Sequence, residues 1–384
     1  MKLKRVIYVT RLSIPKKGPR SIQILRNCVA LAAQNIEVFL FVKSNTFPNM
    51  ESLCLYYGLQ TPQNLRIKTL PLLLTFSPFL IALFVSIKTI LGGKNIASFY
   101  VRDYTLAKYI IRLKWLHHIP VFFEVHGAPR VSDGNIMIVN KESRNRSKPK
   151  SIDFVLKNSD GLICAFKEIE DFLLNNHVRT PMFFAWFGTE PNKEFCYDFS
   201  SRRGIYYVGS FSRSYSPELF IEAMKYVRDE KLILIGGYSE EEISYVKNYA
   251  KKGGVFDRIV FKDYIPPAEV STHLKQAKVA ISLWAGLKLT DYFSNGLPVV
   301  ACGDPGKGIL RDNDNCILFQ PKDPKSLASA INKILDNPAL AEILARNAYG
   351  SAQEYSWCRR AEKIVNFIES NIVNLNQRIQ SRIT

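Results

Sequence analysis

The chain has 384 residues, 47% of them hydrophobic, and a net charge of +18. That length accommodates two or three domains with cores of their own, and the composition is that of a globular protein without low-complexity tracts. Seven cysteines (28, 54, 164, 196, 302, 316 and 358) lack CxxC spacing, which argues against a zinc site or disulfide framework and for reduced thiols in a cytosolic compartment.

A strand is expected almost at once, at 5–10, leaving no room for a signal peptide. Ser21 is placed as the N-cap of a helix with Leu25, Val29 and Ala32 on one face. There follow a strand at 37–42, a helix at 78–91, a strand at 98–101, a helix at 106–115 and a strand at 121–125. A helix at 152–158, a strand at 161–165 and a helix at 166–176 complete the first half. Residues 70–87 carry no charge, but Pro71, Ser77 and Pro78 interrupt them near their start. The remainder suits a core or interfacial helix better than a membrane span.

A polar stretch at 189–203 reads as a linker. Strands are then expected at 204–208, 231–235, 259–261, 279–283, 298–301 and 316–319. Helices fit 217–227, 240–251, 267–276, 287–295 and 324–335, and helices at 338–355 and 357–379 close the chain. Apolar strands separated by helices imply parallel, doubly wound sheets, giving an α/β fold of two Rossmann-like domains around a cleft. Domain boundaries are set at 1–190 and 200–356, with a C-terminal helix at about 360–384 packing back on the first domain.

The charge is unevenly spread. Residues 1–190 hold 26 Lys and Arg against 12 Asp and Glu, whereas residues 191–384 hold 26 against 22. Lys2, Lys4, Arg5, Arg11, Lys16, Lys17, Arg20 and Arg26 all precede the first acid, Glu37. Such a half suits an anionic partner: an acidic membrane surface, a phosphorylated substrate or nucleic acid. No helix-turn-helix, zinc-finger or RNP-like pattern supports nucleic acid. A second basic run, 141–150, is expected to be a loop.

The segment Lys288-Leu-Thr-Asp291-Tyr-Phe-Ser-Asn295-Gly296-Leu-Pro298 concentrates the chemistry. It reads as a helix that starts at the carboxyl end of one strand, stops at Gly296 and feeds the next strand. Ligands settle at that edge of an open α/β sheet, and a helix N-terminus favours phosphate. Lys288 adds a cation there, and Asp291, one turn on, is a carboxylate placed to bond sugar hydroxyls. Gly303-Asp-Pro-Gly306-Lys307-Gly308 and Gly92-Gly93-Lys94 lack phosphate-loop spacing and read as turns.

Further motifs keep the same order: Tyr207-Val-Gly209-Ser210-Phe211, Leu219-Phe-Ile-Glu-Ala223, Pro321-Lys-Asp-Pro324 and Tyr355-Ser-Trp357. In the first half stand Tyr100-Val-Arg102-Asp103 and Phe123-Glu124-Val-His126-Gly127. Together they resemble the GT-B glycosyltransferases, specifically the retaining family 4 enzymes. The resemblance runs over most of the chain and is densest from Gly204 to Trp357. It implies sugar transfer from a nucleotide donor to a glycan or lipid-linked acceptor with retention at the anomeric carbon, in cell-surface polysaccharide or lipopolysaccharide synthesis. It further implies no cofactor and no metal, a UDP- or GDP-linked donor, and a cytoplasmic enzyme at the inner face of an anionic membrane. A catalytically inactive relative, binding a nucleotide sugar or supporting a partner subunit, is the alternative.

Carried over by position, the resemblance implies catalytic roles for His126, Lys288 and Asp291. Gly209, Ser210, Arg213, Tyr264, Ile265, Gly286, Leu287, Leu289 and Thr290 would line the donor, and Gly18, Arg20 and Arg102 the acceptor side. Two departures stand out. The first acid of the family's carboxylate pair falls at Leu283, and its donor-loop Arg and Lys fall at Ser210 and Tyr215, with Arg213 between them as a substitute.

Overall fold

The computed structural model of the protein describes residues 2–16, 18–93, 97–132, 135–139, 149–193, 201–283, 286–303 and 309–380. The first lobe begins β1 (Arg5–Val9), β2 (Ser13–Ile14), α1 (Pro19–Ala32), β3 (Glu37–Val42), β4 (Ser44–Asn45), α2 (Met50–Tyr57) and β5 (Leu65–Thr69). It continues with α3 (Pro78–Leu91), β6 (Ala97–Val101), α4 (Tyr104–Arg112), α5 (Lys114–His117), β7 (Val121–Val125), β8 (Ala128–Ser132) and β9 (Asn135–Val139). It ends with α6 (Pro149–Asn158), β10 (Gly161–Cys164), α7 (Lys167–Asn175) and β11 (Met182–Phe184). Seven of its strands form one sheet in the order β11-β10-β7-β6-β1-β3-β5, every neighbour parallel.

The second lobe starts with β12 (Ile205–Gly209), α8 (Glu218–Ala223), β13 (Leu232–Gly236), α9 (Glu240–Lys252), β14 (Ile259–Lys262) and α10 (Pro267–Leu274). It goes on through β15 (Val279–Ser282), α11 (Leu287–Ser294), β16 (Val299–Cys302), β17 (Ile317–Phe319), α12 (Pro324–Leu335) and α13 (Pro338–Glu354). Its six strands are again all parallel, in the order β14-β13-β12-β15-β16-β17. Helices cover both faces of each sheet, so central strands such as β7 (Val-Phe-Phe-Glu-Val) are buried along their whole length. This is the expected pair of Rossmann-like domains.

The last helix, α14 (Trp357–Gln380), returns to the first lobe. Trp357, Ala361, Ile364 and Ile368 are buried there in one core with Tyr8, Ile24 and Tyr100. Where the chain leaves the first lobe and where it comes back, the two segments pair. The Thr189 amide donates to the Tyr355 carbonyl (2.8 Å) and the Trp357 amide to the Thr189 carbonyl (3.0 Å).

Several expectations are corrected. Gly18, not Ser21, caps α1, because Pro19 fits the first helical turn and starts the helix earlier. The Ser21 hydroxyl instead donates to the Lys16 and Gly18 carbonyls at 2.7 and 3.1 Å. The helix expected at 106–115 is two, because the Leu113 amide is shared between the Tyr109 and Ile110 carbonyls, tightening the turn. The helix expected at 217–227 ends at Ala223 in short-range turns. Unforeseen are α2, the edge strands β5 and β11, the β2–β4 pair and the β8–β9 hairpin. Arg5, counted among the cations that precede the first acid, is tied to that acid, Glu37 (2.7 Å), and to the Gly92 and Gly93 carbonyls. Lys17, Trp284 and Ala285 lie outside the described residues, as does most of the 141–150 run and of the 303–308 turn. Among the described residues no helix is long and apolar enough to cross a membrane.

Candidate active site

Both sheets aim the carboxyl ends of their strands at the space between the lobes. At the end of β15, α11 begins at Gly286, with extended backbone and no side-chain cap. A Cβ placed on Gly286 would meet nothing within 4 Å. The helix end is therefore open to a ligand. Leu289 and Thr290 are fully buried, and their amides turn back to the Gly286 carbonyl (3.0 and 3.4 Å). Those two amides are thus engaged, which leaves the amides of Leu287 and Lys288 at the open end of the helix.

Lys288 is half-buried beside the loop that follows β12. Its ammonium donates to the Tyr207 hydroxyl and lies 4.0 Å from that ring's centroid and 5.2 Å from that of Tyr215. Tyr207 in turn donates to the Ser210 carbonyl at 3.0 Å. Among the described residues no carboxylate pairs with Lys288. Desolvation pushes its pKa down to about 7. An arriving diphosphate would restore the charged form, so binding at pH 8 should take up a proton and weaken as the pH rises further. Calorimetry of nucleoside diphosphate binding in two buffers of different ionisation enthalpy reads this directly; identical heats would contradict it.

Gly209 makes the close approach possible. Its φ is +137°, and a Cβ there would lie 2.8 Å from Lys288 Cε. Gly209→Ala is expected to strain the loop, displace the ammonium and weaken donor binding at least tenfold, measured as KM for the donor. The same loop is held by Glu242 in the first turn of α9. Its carboxylate accepts from the Ser210 hydroxyl (3.1 and 3.2 Å), the Phe211 amide (3.0 Å) and the Tyr238 amide (3.1 Å). Ser210 is thus engaged in shaping the loop. Arg213 does not join Lys288: its exposed guanidinium stacks on Tyr245, 4.2 Å from the ring centroid. Leu283 is buried in the apolar core, so no acid stands at that position.

The lobes meet at this site. Asp291 pairs with Arg26 of α1 at 2.9 Å, a contact across 265 positions of chain. The Tyr264 hydroxyl lies 3.4 Å from that of Tyr56 on α2. A Cβ at Gly58, which ends α2, would come within 3.0 Å of the Ala268 backbone on α10. Ile265 is half-buried beside Tyr264, and Leu287 packs against apolar residues of both lobes.

On the first lobe, His126 follows β7 and is buried, its ring stacked on Phe187 (5.9 Å between centroids). Its Nε2 lies 3.0 Å from Glu124 Oε1. Burial lowers its pKa to about 4, with Arg102 adding to the shift and Glu124 opposing it. Burial alone would raise the Glu124 pKa, but Arg360 and then His126 outweigh it and keep the carboxylate ionised. Arg360, from α14, donates to Glu124 (2.7 Å), Asn27 (2.5 Å) and the Trp186 carbonyl (2.8 Å). Tyr100 donates to the other Glu124 oxygen at 2.9 Å. Arg102 donates to Gln23 of α1 at 2.6 Å. Gly18 at the start of α1 has open space around it, and Arg20 is half-buried in the first turn. Thr10 Oγ1, Arg20 Nε, Gln23 Nε2 and Arg26 Nε are buried without a hydrogen-bond partner, a set of polar groups on the α1 side of the cleft. Among the described residues no cluster of three His, Cys, Asp or Glu could hold a metal ion.

The second lobe carries the likeness to a named family. Residues 198–351 match the family model of glycosyl transferases group 1. The D-inositol 3-phosphate glycosyltransferase of Acidothermus cellulolyticus is 28% identical over 165 residues, 40% of this chain and 37% of that protein. That of Corynebacterium diphtheriae is 26% identical over 171 residues, 41% of this chain and 40% of that protein. The chain thus spans less than half the length of these relatives. Among solved structures, sucrose-phosphate synthase from Thermosynechococcus elongatus is similar with a TM-score of 0.75 and 18% identity, over 97% of this chain and 100% of that one. HepE from Anabaena in complex with UDP-glucose gives 0.68 and 12%, over 95% and 99%. WaaG, a glycosyltransferase involved in lipopolysaccharide biosynthesis, gives 0.63 and 15%, over 94% and 99%. These likenesses establish the GT-B fold.

Around the cleft, four residues had no site role assigned from the sequence: Tyr207, Glu242, Arg26 and Arg360. Only Glu242 leaves a local trace. Ser239-Glu240-Glu241-Glu242 has capping-box spacing, and Ser239 does cap α9, accepting from the Glu242 amide at 3.2 Å.

Proposed function

We propose that the protein is a retaining glycosyltransferase that moves a sugar from a UDP- or GDP-linked donor to a glycan or lipid-linked acceptor in cell-surface glycan synthesis. The observation that carries this reading is the open N-terminus of α11 beside Lys288, an ammonium without a carboxylate partner among the described residues. The donor diphosphate rests on the Leu287 and Lys288 amides, and Lys288 takes over the negative charge that grows on the leaving phosphate. Gly209 lets the loop backbone approach. Tyr264 and Ile265 face the base.

Asp291 reaches the ribose while held by Arg26, so the two lobes share the donor. Neutral His126 turns its Nε2–H to the Glu124 carboxylate, which leaves Nδ1 to accept a hydrogen bond from a hydroxyl of the transferred sugar. With retention, the departing phosphate oxygen accepts the proton of the acceptor hydroxyl on the same face, and no separate base is needed. The acceptor enters past Gly18, Arg20 and Arg102. An acceptor anchored in an anionic membrane fits the +14 balance of residues 1–190 and places the enzyme on the cytoplasmic side.

The test is release of free nucleotide from UDP- and GDP-sugars, followed by chromatography with and without a lipid-extract acceptor. Turnover of one donor class is expected. Tight diphosphate binding without any release would instead support the silent binding partner, a reading that Leu283 in place of an acid favours.

A further inference from the structure

We propose that an exposed apolar face of the first lobe, built by the turn at Leu72–Leu74, Phe76 and the outer side of α3, seats the protein on an anionic lipid bilayer at the mouth of the cleft. The inference deepens the membrane-facing reading above by naming the surface that makes the contact.

Leu73 and Phe76 are each 81% exposed and Leu72 70%. Along α3, Leu80, Ile87 and Leu91 continue the apolar strip on the outer side, while Ile81, Ala82, Val85 and Thr89 are buried beneath it. A patch of this kind is unusual on a protein surface that faces only water. Its chain context is one-signed: from Ser52 to Leu91 there is no Asp or Glu, whereas Arg66, Lys68 and Lys88 fall in that stretch, Arg66 lying 3.7 Å from Glu37. Lys68 is exposed on β5 just before the turn, and the Lys88 ammonium lies 5.9 Å from the Phe84 ring centroid, at the border of the strip. Bulky hydrocarbon flanked by cations is the pattern of an interfacial anchor, with side chains in the acyl region and ammonium groups among anionic headgroups.

Length and topology agree. With 14 residues α3 is about 21 Å long, too short for a hydrocarbon core of about 30 Å, so it lies along the surface. Because β5 is parallel to the rest of its sheet, its carboxyl end, and the turn that follows, stand on the cleft side. Docking through the turn brings the cleft-side edge of this lobe to the headgroups, where a lipid-linked acceptor would be presented, while α3 runs back along the lobe until Gly92 meets Arg5 at the start of β1.

The experiment is sedimentation of the full chain with phosphatidylcholine vesicles with and without phosphatidylglycerol, at low and high salt. The parent should bind the anionic vesicles, less tightly at high salt. Leu73→Glu/Phe76→Glu should weaken that binding about tenfold or more, whereas Ile343→Glu, exposed on the other lobe, should not. Equal binding by the double variant, or no binding by the parent, overturns the proposal. So does conversion of a dimer to a monomer by the double variant on gel filtration, which would show that a second copy covers the face. Nucleotide release from a soluble donor should be unchanged in the double variant. Loss of release in the parent itself would count against the transferase reading and not against the docking face.

Discussion

Lys288→Ala is expected to slow sugar transfer by about 10² to 10³-fold, the scale of a lost preorganised electrostatic donor, while leaving the fold at least as stable. The second half of that expectation follows from the site. The ammonium is desolvated enough to hold its pKa near 7, its partner is a neutral phenol, and no described carboxylate pairs with it. Removing it takes away an unfavourable charge. Tyr207 keeps its other bond, to the Ser210 carbonyl. A residue kept for structure would behave in the opposite way, losing stability along with rate. Steady-state turnover and thermal melting on the same preparations separate the two. Lys288→Arg retains the charge but brings a wider, planar group to the space beside Gly209, so only partial recovery is expected. Unchanged turnover in Lys288→Ala would remove the assigned role.

The largest stability effect is expected at Arg360. Its guanidinium is buried and serves Glu124, Asn27 and the Trp186 carbonyl, which together pin α14 to the first lobe. In Arg360→Ala, Glu124 would remain buried with its main counter-charge gone. Breaking such a pair by removing one partner costs about 3–5 kcal/mol, enough to lower the melting temperature by on the order of 10 °C. Glu124→Gln in the same background should recover part of the loss, since it removes the orphaned charge. Calorimetric melting of the single and double variants checks this. A melting temperature within a degree or two of the parent for Arg360→Ala would show that the network contributes little.

The two sheets were legible because parallel strands covered on both faces read as apolar runs, and β3, β7 and α12 coincide with their expected limits. The helix at 287–295 was legible for the same reason and through Gly296. Edge strand β5 (Leu-Arg-Ile-Lys-Thr) alternates with charge and hides among polar neighbours. What could not be read locally is the cleft itself. Asp291 and Arg26 are 265 positions apart, Arg360 and Glu124 236, and nothing periodic links either pair. Arg213 was placed by its position in the donor loop, yet the ring of Tyr245 on α9 draws its guanidinium elsewhere. Leu289 and Thr290 belong to the right helix but face its buried side, since first-turn position alone does not say which amides remain open.

In the function proposed above, the amino end of α11 and Lys288 form a seat for a nucleotide's diphosphate. The decisive measurement is titration of UDP, GDP, ADP and CMP into the parent and into Lys288→Ala, followed by thermal shift. One nucleoside diphosphate should raise the parent's melting temperature, the monophosphate CMP should do so far less, and the shift should largely vanish in Lys288→Ala. Equal shifts in both proteins, or none with any diphosphate, would contradict the claim.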